Sequence, residues 1–126
     1  MRRKTKVFFD GGCRPNPGPI EAAAVVRGSV HRFDNLGQGS STDAEWLALI
    51  AALELAQRLG LTEIELIGDA LEVVKQAKLI LQSGRAAPGH AAAFRDVAAK
   101  TPSLKVRWIK RQQNLAGIAL AARHPR

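Results

Sequence analysis

Cysteine is almost missing from this chain: Cys13 is the single one among 126 residues. One cysteine excludes an internal disulfide and a cysteine-based zinc site as sources of stability. A chain without disulfides suits a reducing compartment. A domain of this length buries roughly 65–70% of the surface that its unfolded chain exposes, so a hydrophobic core alone can stabilise it. We therefore expect one domain over residues 1–126.

Long apolar runs are missing too. The longest one, residues 46–53, has eight residues, whereas a membrane-spanning helix needs about 20. The basic first residues are followed by only three apolar residues before Asp10, which is too short for the apolar part of a secretory signal. We expect a cytoplasmic protein without a membrane partner.

Tyrosine is absent and aromatic residues make up 5% of the chain, which argues against an aromatic platform on which bases stack. Acidic residues are fewer than basic ones: the chain has 11 Asp and Glu and 19 Lys and Arg, which gives a net charge of +8. A basic surface attracts polyanions, so nucleic acid is the first candidate partner and an acidic membrane surface the second. The alternative is a basic surface that only keeps the protein in solution.

The first half of the chain has the pattern of strands followed by a helix. Residues 5–9 are typical of a strand, and residues 11–19 contain three Gly and three Pro and are predicted to be a loop. Residues 20–26 and 30–36 are predicted to pair as antiparallel strands. Residues 46–53 then repeat apolar side chains with helical spacing.

Further signals complete the predicted order of elements. Thr42 and Glu45 have the spacing of a capping box and mark the start of the first helix. The later elements are predicted to be a strand, two helices, a strand and a terminal helix capped by Asn114, over residues 64–67, 71–81, 88–100, 104–109 and 114–123. A hairpin followed by alternating helices and strands predicts a mixed α/β sheet.

Three carboxylates occupy positions that a hydrophobic core does not explain. Asp10 and Asp69 each follow an apolar strand, and ligands of open α/β sheets bind beyond the carboxyl ends of the strands. Glu45 shares a helical face with apolar residues, where an unpaired carboxylate is costly to bury. The alternative to a functional role is that the two aspartates are solvated turn residues and that Glu45 belongs to the capping box. Together the three favour a magnesium site, because hard cations prefer carboxylates.

Four segments, taken in order, resemble the type 1 ribonuclease H family. They are the strand and loop at 7–19 (VFFDGGCRPNPGP), the helix start at 42–49 (TDAEWLAL), the segment 68–76 (GDALEVVKQ) and the last strand and loop at 108–114 (WIKRQQN). The resemblance spans nearly the whole chain. It implies a ribonuclease H-like fold, a five-stranded mixed sheet with a hairpin plus parallel strands, flanked by helices. It also implies an endonuclease that hydrolyses the RNA strand of RNA–DNA hybrids with divalent metal.

By that resemblance, Asp10, Glu45 and Asp69 are the catalytic, metal-binding carboxylates. The implied cofactor is Mg²⁺ or Mn²⁺, with two ions when substrate is bound. The positions that match residues near nucleic acid in the family are Gly11, Gly12, Arg14, Asn16, Gln76, Arg111 and Asn114. Asn16 is a candidate for bonding the 2′-hydroxyl that distinguishes RNA from DNA, with plain turn chemistry as its alternative.

The chain departs from the family where a fourth catalytic carboxylate is expected. Without gaps Ile118 stands at that position, and a shift of one residue puts Gly117 there. Three outcomes stay open. Water or substrate fills the gap in a weakened enzyme, an acid such as Asp43, Glu72 or one from a partner chain replaces it, or the fold binds without cutting. We expect Ile118→Asp to raise cleavage.

A module that binds without cutting would use basic residues for phosphate contacts. The candidates are Lys105, Arg107, Lys110, Arg111 and the basic N-terminus. The alternative is that these basic residues only form a solvated strand face and a solvated tail, without binding phosphate. A nuclease acting on branched DNA is a third and weaker hypothesis, which a panel of substrates separates from the first.

Overall fold

The computed structural model describes residues 3–124, and within them the chain forms six strands and four α-helices. The strands are β1 (Thr5–Cys13), β2 (Gly18–Val26), β3 (Ser29–Phe33), β4 (Gln38–Gly39), β5 (Glu63–Gly68) and β6 (Ser103–Trp108). The helices are α1 (Ser41–Arg58), α2 (Leu71–Ser83), α3 (His90–Ala98) and α4 (Leu115–Ala121), and a 3-10 turn spans Arg111–Gln113. None of the helices described is long and apolar enough to cross a membrane.

Five of the described strands form a mixed sheet in the order β3-β2-β1-β5-β6. β2 pairs antiparallel with both β1 and β3, whereas β5 pairs parallel with both β1 and β6. The short β4 pairs antiparallel with the start of β2 and is an addition to the predicted strands. The predicted fold class, a mixed sheet with a hairpin plus parallel strands flanked by helices, is confirmed.

The segment rich in glycine and proline is a shorter loop than predicted. β1 continues to Cys13 and β2 already begins at Gly18, so residues 14–17 connect them. Cys13 pairs with Ile20 in the antiparallel ladder, which satisfies backbone groups that a longer loop would leave to water. Gly11 serves packing and not a turn, because a Cβ there would lie 2.2 Å from the carbonyl oxygen of Ala44.

Helix α1 lies close against the sheet because its inner face is built largely from alanine. The buried alanines recur every four residues along the helix, at Ala44, Ala48, Ala52 and Ala56. Larger side chains such as Phe9 of β1 are fully buried in the same cluster. Burying a side chain of that size stabilises the fold by about 1.5–3 kcal/mol. This packing sets the position of α1 relative to the end of β1.

The capping box of α1 is Ser40 with Asp43, and the prediction of Thr42 with Glu45 was wrong. The Asp43 N–H donates to Oγ of Ser40 at 3.2 Å, and the Ser40 N–H donates to Oδ2 of Asp43 at 2.8 Å. Ser40 with Asp43 and Thr42 with Glu45 both have the spacing of three residues that a capping box requires. The helix begins at Ser41, so Ser40 is the N-cap and Thr42 already lies inside the helix. Glu45 is therefore free of capping and available to the site.

Helix α4 covers the opposite face of the sheet from α1. Asn114 caps it as predicted, since its Oδ1 accepts a bond from the Ala116 N–H at 3.1 Å. Ala116 and Leu120 pack against Ala23 and Val25 of β2 in a second buried cluster. The N-terminus of α4 is thereby placed beside Phe9 and Asp10 of β1.

Candidate metal centre

The three predicted carboxylates meet at one edge of the sheet. β1 and β5 are parallel neighbours, and their pairing ends at Phe8 and Ile67. Asp10 and Asp69 each lie two residues beyond this last pair, and α1 brings Glu45 to the same place. One carboxylate oxygen from each of the three lies within 4.8 Å of the others. Within residues 3–124 no other group of three or more possible metal ligands comes together.

Glu45 is held in place by the residue that follows Asp10. The Gly11 N–H donates to Oε1 of Glu45 at 3.0 Å. This bond depends on the close approach of β1 to α1, which the missing side chain of Gly11 permits. The predicted glycine thus contributes to the geometry of the carboxylates.

Burial and mutual repulsion raise the pKa values of two of these acids. Burial, followed by the charge of Asp69, raises the pKa of Asp10 to about 6, against the opposing charge of Arg111. Burial, followed by the charge of Asp10, raises the pKa of Glu45 to about 9. A hard divalent cation supplies the counter-charge that such a cluster lacks, so the donor set fits a metal of this class.

Asn114 is fully buried, which corrects the expectation that it contacts nucleic acid. Its Nδ2 donates to the carbonyl oxygen of Phe9 at 3.0 Å and to Oδ2 of Asp69 at 3.0 Å. The sequence showed the capping role of Asn114 but carried no signal for these contacts, because both partners are distant along the chain. Asn114 supports the carboxylates from inside the protein.

Trp108 is a second residue whose role sequence reasoning missed. In the sequence it appeared only as the first residue of the segment 108–114 that resembles the family. Its indole N–H donates to the backbone oxygen of Asp69 at 3.2 Å. Because Trp108 pairs with Gly68 across the parallel strands, it reaches the segment that carries this carboxylate. The pairing register of β5 and β6 was needed to find it.

Gly117 and Ile118 both line the cavity that Asp10 lines. A Cβ at Gly117 would lie 3.5 Å from Oδ2 of Asp10. Ile118 is 55% exposed. Both residues therefore remain candidates for the position of the missing fourth carboxylate, and the expectation that Ile118→Asp raises cleavage stays a prediction.

The acids considered as replacements do not complete the cluster. Asp43 is engaged in the cap of α1, and Glu72 is exposed beside Lys75. Glu21 lines the cavity next to the cluster, but its carboxylate is paired with His124 and lies 3.8 Å from Arg123. Among the described residues, no fourth acid joins Asp10, Glu45 and Asp69.

A cavity of about 510 Å³ opens beside Asp10 and Glu45. Most of the residues predicted to lie near nucleic acid line it: Gly11, Gly12, Arg14, Asn16 and Arg111. Gln76 does not line it and is exposed on α2. The structure thus brings five of the seven predicted positions to one opening and separates Gln76 and the buried Asn114 from it.

Asn16 ties the connecting loop to the start of α1. Its Oδ1 accepts a bond from the Ser41 N–H at 3.2 Å, and its Nδ2 donates to Oγ of Ser41 at 3.3 Å. The side chain is exposed at the edge of the cavity. Turn chemistry alone does not describe Asn16, because these contacts join it to a residue far along the chain.

Comparison with known sequences identifies relatives of this chain. The profile of the reverse transcriptase-like family matches residues 8–124. Ribonuclease HI of Halobacterium salinarum is 41% identical over 78 residues, which are 58% of this chain and 39% of that protein. A bifunctional protein of Mycobacterium tuberculosis is 37% identical over 79 residues, 58% of this chain and 22% of its own length. The matches thus cover less than half of each of these two curated relatives.

Solved structures resemble this chain over nearly its whole length. RNase H1 from Halobacterium salinarum superposes with a TM-score of 0.71 and 26% identity, covering 94% of both chains. LC11-RNase H1, isolated from compost by a metagenomic approach and solved with an RNA/DNA hybrid, superposes with a TM-score of 0.73 and 26% identity over 93% of both chains. From its matching profile, relatives and fold, the chain belongs to the type 1 ribonuclease H family.

Proposed function

We propose that this chain is a single-domain, cytoplasmic, metal-dependent endonuclease that hydrolyses the RNA strand of RNA–DNA hybrids. Its activity is weakened by the missing fourth carboxylate. The observation that carries the proposal is the cluster of Asp10, Glu45 and Asp69, whose carboxylates approach within 4.8 Å beside an open cavity. The relative solved with an RNA/DNA hybrid supports the choice of substrate.

Asp10, Glu45 and Asp69 would hold Mg²⁺ or Mn²⁺, with two ions when substrate is bound. Such cations supply Lewis acidity at a phosphodiester and activate water. The Gly11 N–H holds Glu45 in place. Hydrolysis joins a water oxygen to phosphorus and breaks the bond to the 3′-oxygen, which leaves a 5′-phosphate and a 3′-hydroxyl.

The cavity residues would bind the substrate beside the carboxylates. Arg14 and Arg111 supply positive charge for phosphates, and Gly12 permits close approach of the backbone. One Nδ2 hydrogen of Asn16 is engaged by Ser41, and the other is free to donate to a 2′-hydroxyl. Gln76 would contact only a substrate that extends past the cavity, along α2.

A cleavage assay tests the proposal. The purified protein is incubated with a hybrid labelled on its RNA strand, in Mg²⁺ and separately in Mn²⁺. We expect cleavage that is lost in Asp10→Asn and kept in Asp96→Asn, a matched control because Asp96 is an exposed acid on α3. No cleavage with either ion, or equal cleavage by Asp10→Asn, would contradict the proposal. Branched DNA in the same assay tests the third hypothesis.

A catalytically impaired nucleic-acid-binding module is the second candidate. The observation that favours it is that only three acids meet in the cluster among the described residues, because lost charge lowers phosphoryl-transfer rates by orders of magnitude. Lys105 and Lys110 are exposed for phosphate contacts, whereas Arg107 is paired with Glu65 at 3.4 Å. This candidate predicts hybrid binding that weakens steeply with salt and is unchanged in Asp10→Asn. The first two residues of the basic N-terminus lie outside the described residues.

A further inference from the structure

The side-chain amide of Asn114 has one possible orientation. Its Oδ1 faces the Ala116 N–H, which can only donate, and its Nδ2 faces the carbonyl oxygen of Phe9, which can only accept. The two contacts therefore assign the amide oxygen and nitrogen without ambiguity. With this orientation, the bond of 3.0 Å to Oδ2 of Asp69 is donated by Asn114.

We propose that Asn114 is a positioning residue that orients the Asp69 carboxylate for metal binding. The proposal rests on the proposed function and deepens it. One amide group joins the middle of β1, at Phe9 directly before Asp10, to the segment after β5 that carries Asp69. The same side chain begins α4, the helix that places Gly117 opposite Asp10.

Asp69 needs such a partner because its own segment fixes it weakly. It lies between the end of β5 and the start of α2, and Ala70, the N-cap of α2, provides no side-chain hydrogen bond. Trp108 holds the backbone oxygen of Asp69 and leaves its carboxylate free. Outer partners that orient a ligating carboxylate typically contribute 10–100-fold to metal affinity or activity.

Gln57 offers a matched control at the opposite end of α1. Its Nε2 also donates two bonds of 3.0 Å, to the carbonyl oxygen of Val97 and to Oγ1 of Thr101. Both side chains therefore join separate elements through one amide nitrogen. Removal of either amide destabilises the fold, and only removal of the Asn114 amide changes the carboxylates.

The test measures Mn²⁺ affinity without nucleic acid, by the paramagnetic resonance signal of free Mn²⁺. Asn114→Ser keeps a hydroxyl that caps α4 and loses the bond to Asp69; we expect its Kd for Mn²⁺ to rise about tenfold. Gln57→Ala should bind within twofold of the parent. Asn114→Thr, which fills more of the vacated space, serves where the serine variant does not fold.

A second measurement needs no substitution. In the parent protein, we expect the Nδ2–H resonances of Asn114 to shift on addition of diamagnetic Mg²⁺, and those of the Gln57 amide to stay. A folded Asn114 variant with parental Mn²⁺ affinity, equal weakening by Gln57→Ala, or an Asn114 amide insensitive to Mg²⁺ would each overturn the proposal. Parent protein that binds Mn²⁺ but cuts no hybrid would overturn the proposed function and leave the positioning role standing.

Discussion

Asp43 and Glu45 stand two residues apart on α1, and the fold gives them opposite environments. Asp43 accepts bonds from Ser40 and lies 2.9 Å from Nε2 of His90, and these partners lower its pKa. Glu45 accepts one bond from Gly11, while burial and the charge of Asp10 raise its pKa to about 9. An acid surrounded by donors stabilises the structure, and an acid buried against other acids needs a cation.

The largest expected effect separates these two acids by activity. Glu45→Gln should lower hybrid cleavage about 100-fold or more, because it removes charge at the reacting centre. Asp43→Asn should stay within a few-fold of the parent at a temperature at which it is folded. Initial rates on a labelled hybrid, with circular dichroism to verify folding, check both. An equal loss of cleavage in both variants would contradict the different roles assigned to Glu45 and Asp43.

The next effect comes from adding an acid where the cluster lacks one. Ile118→Asp should raise Mg²⁺-dependent cleavage and Mg²⁺ affinity by about tenfold, because Ile118 lines the same cavity as Asp10 and stands at the ungapped position of the missing acid. Gly117→Asp is the comparison variant, because a Cβ at Gly117 would lie 3.5 Å from Oδ2 of Asp10 and the shifted alignment places the acid there. Cleavage rates and calorimetric Mg²⁺ titrations distinguish the two variants. A gain in Gly117→Asp alone would favour the alignment shifted by one residue over the ungapped one.

The pKa shifts predict opposite pH dependences for the metal-free protein. The folded pKa values of Asp10 and Glu45, about 6 and 9, exceed their ordinary values of 3.8 and 4.5, so folding binds protons and stability falls as pH rises through this range. The lowered pKa of Asp43 stabilises the fold above its ordinary value of 3.8, and this contribution is lost as pH falls.

Urea unfolding in EDTA, at intervals from pH 5 to pH 9, measures this effect. Glu45→Gln should remove part of the decline in unfolding free energy above pH 6, whereas Asp43→Asn should keep it. Comparison with the parent at each pH cancels the general effect of net charge. If the unfolding free energy of Glu45→Gln declines with pH as steeply as that of the parent, the carboxylates do not repel one another in the folded protein.

The smallest expected effect concerns the cap alone. Ser40→Ala removes the Oγ that accepts a bond from the Asp43 N–H, and should lower the unfolding free energy by about 1 kcal/mol. Cleavage at low temperature should remain close to that of the parent. Urea unfolding and initial rates test this pair of expectations. A Ser40→Ala variant of parental stability would argue against the observed capping box.

Sequence patterns were sufficient for the order of the main elements and for the carboxylates. Apolar periodicity marks α1, and the end of an apolar run marks Asp10 and Asp69, because these signals are local. Asp10 nevertheless lies inside β1, which continues to Cys13. The cap of α1 was missed since Ser40 with Asp43 and Thr42 with Glu45 share the same spacing, and only the first helical residue distinguishes them. Glycines at 11 and 12 indicated a loop, although the antiparallel ladder and the approach of α1 make them part of β1.

The sequence by itself determined that a basic, nearly cysteine-free chain folds as a mixed sheet and carries three acids at positions that a hydrophobic core does not explain. Those features follow from composition and from periodicities of two and 3.6 residues. Only the tertiary structure decided that Gly117 faces Asp10 and that Asn114 is buried against Asp69. Both depend on how α4 docks on the sheet, and docking is set by contacts between residues about 45–105 positions apart, which no local pattern encodes.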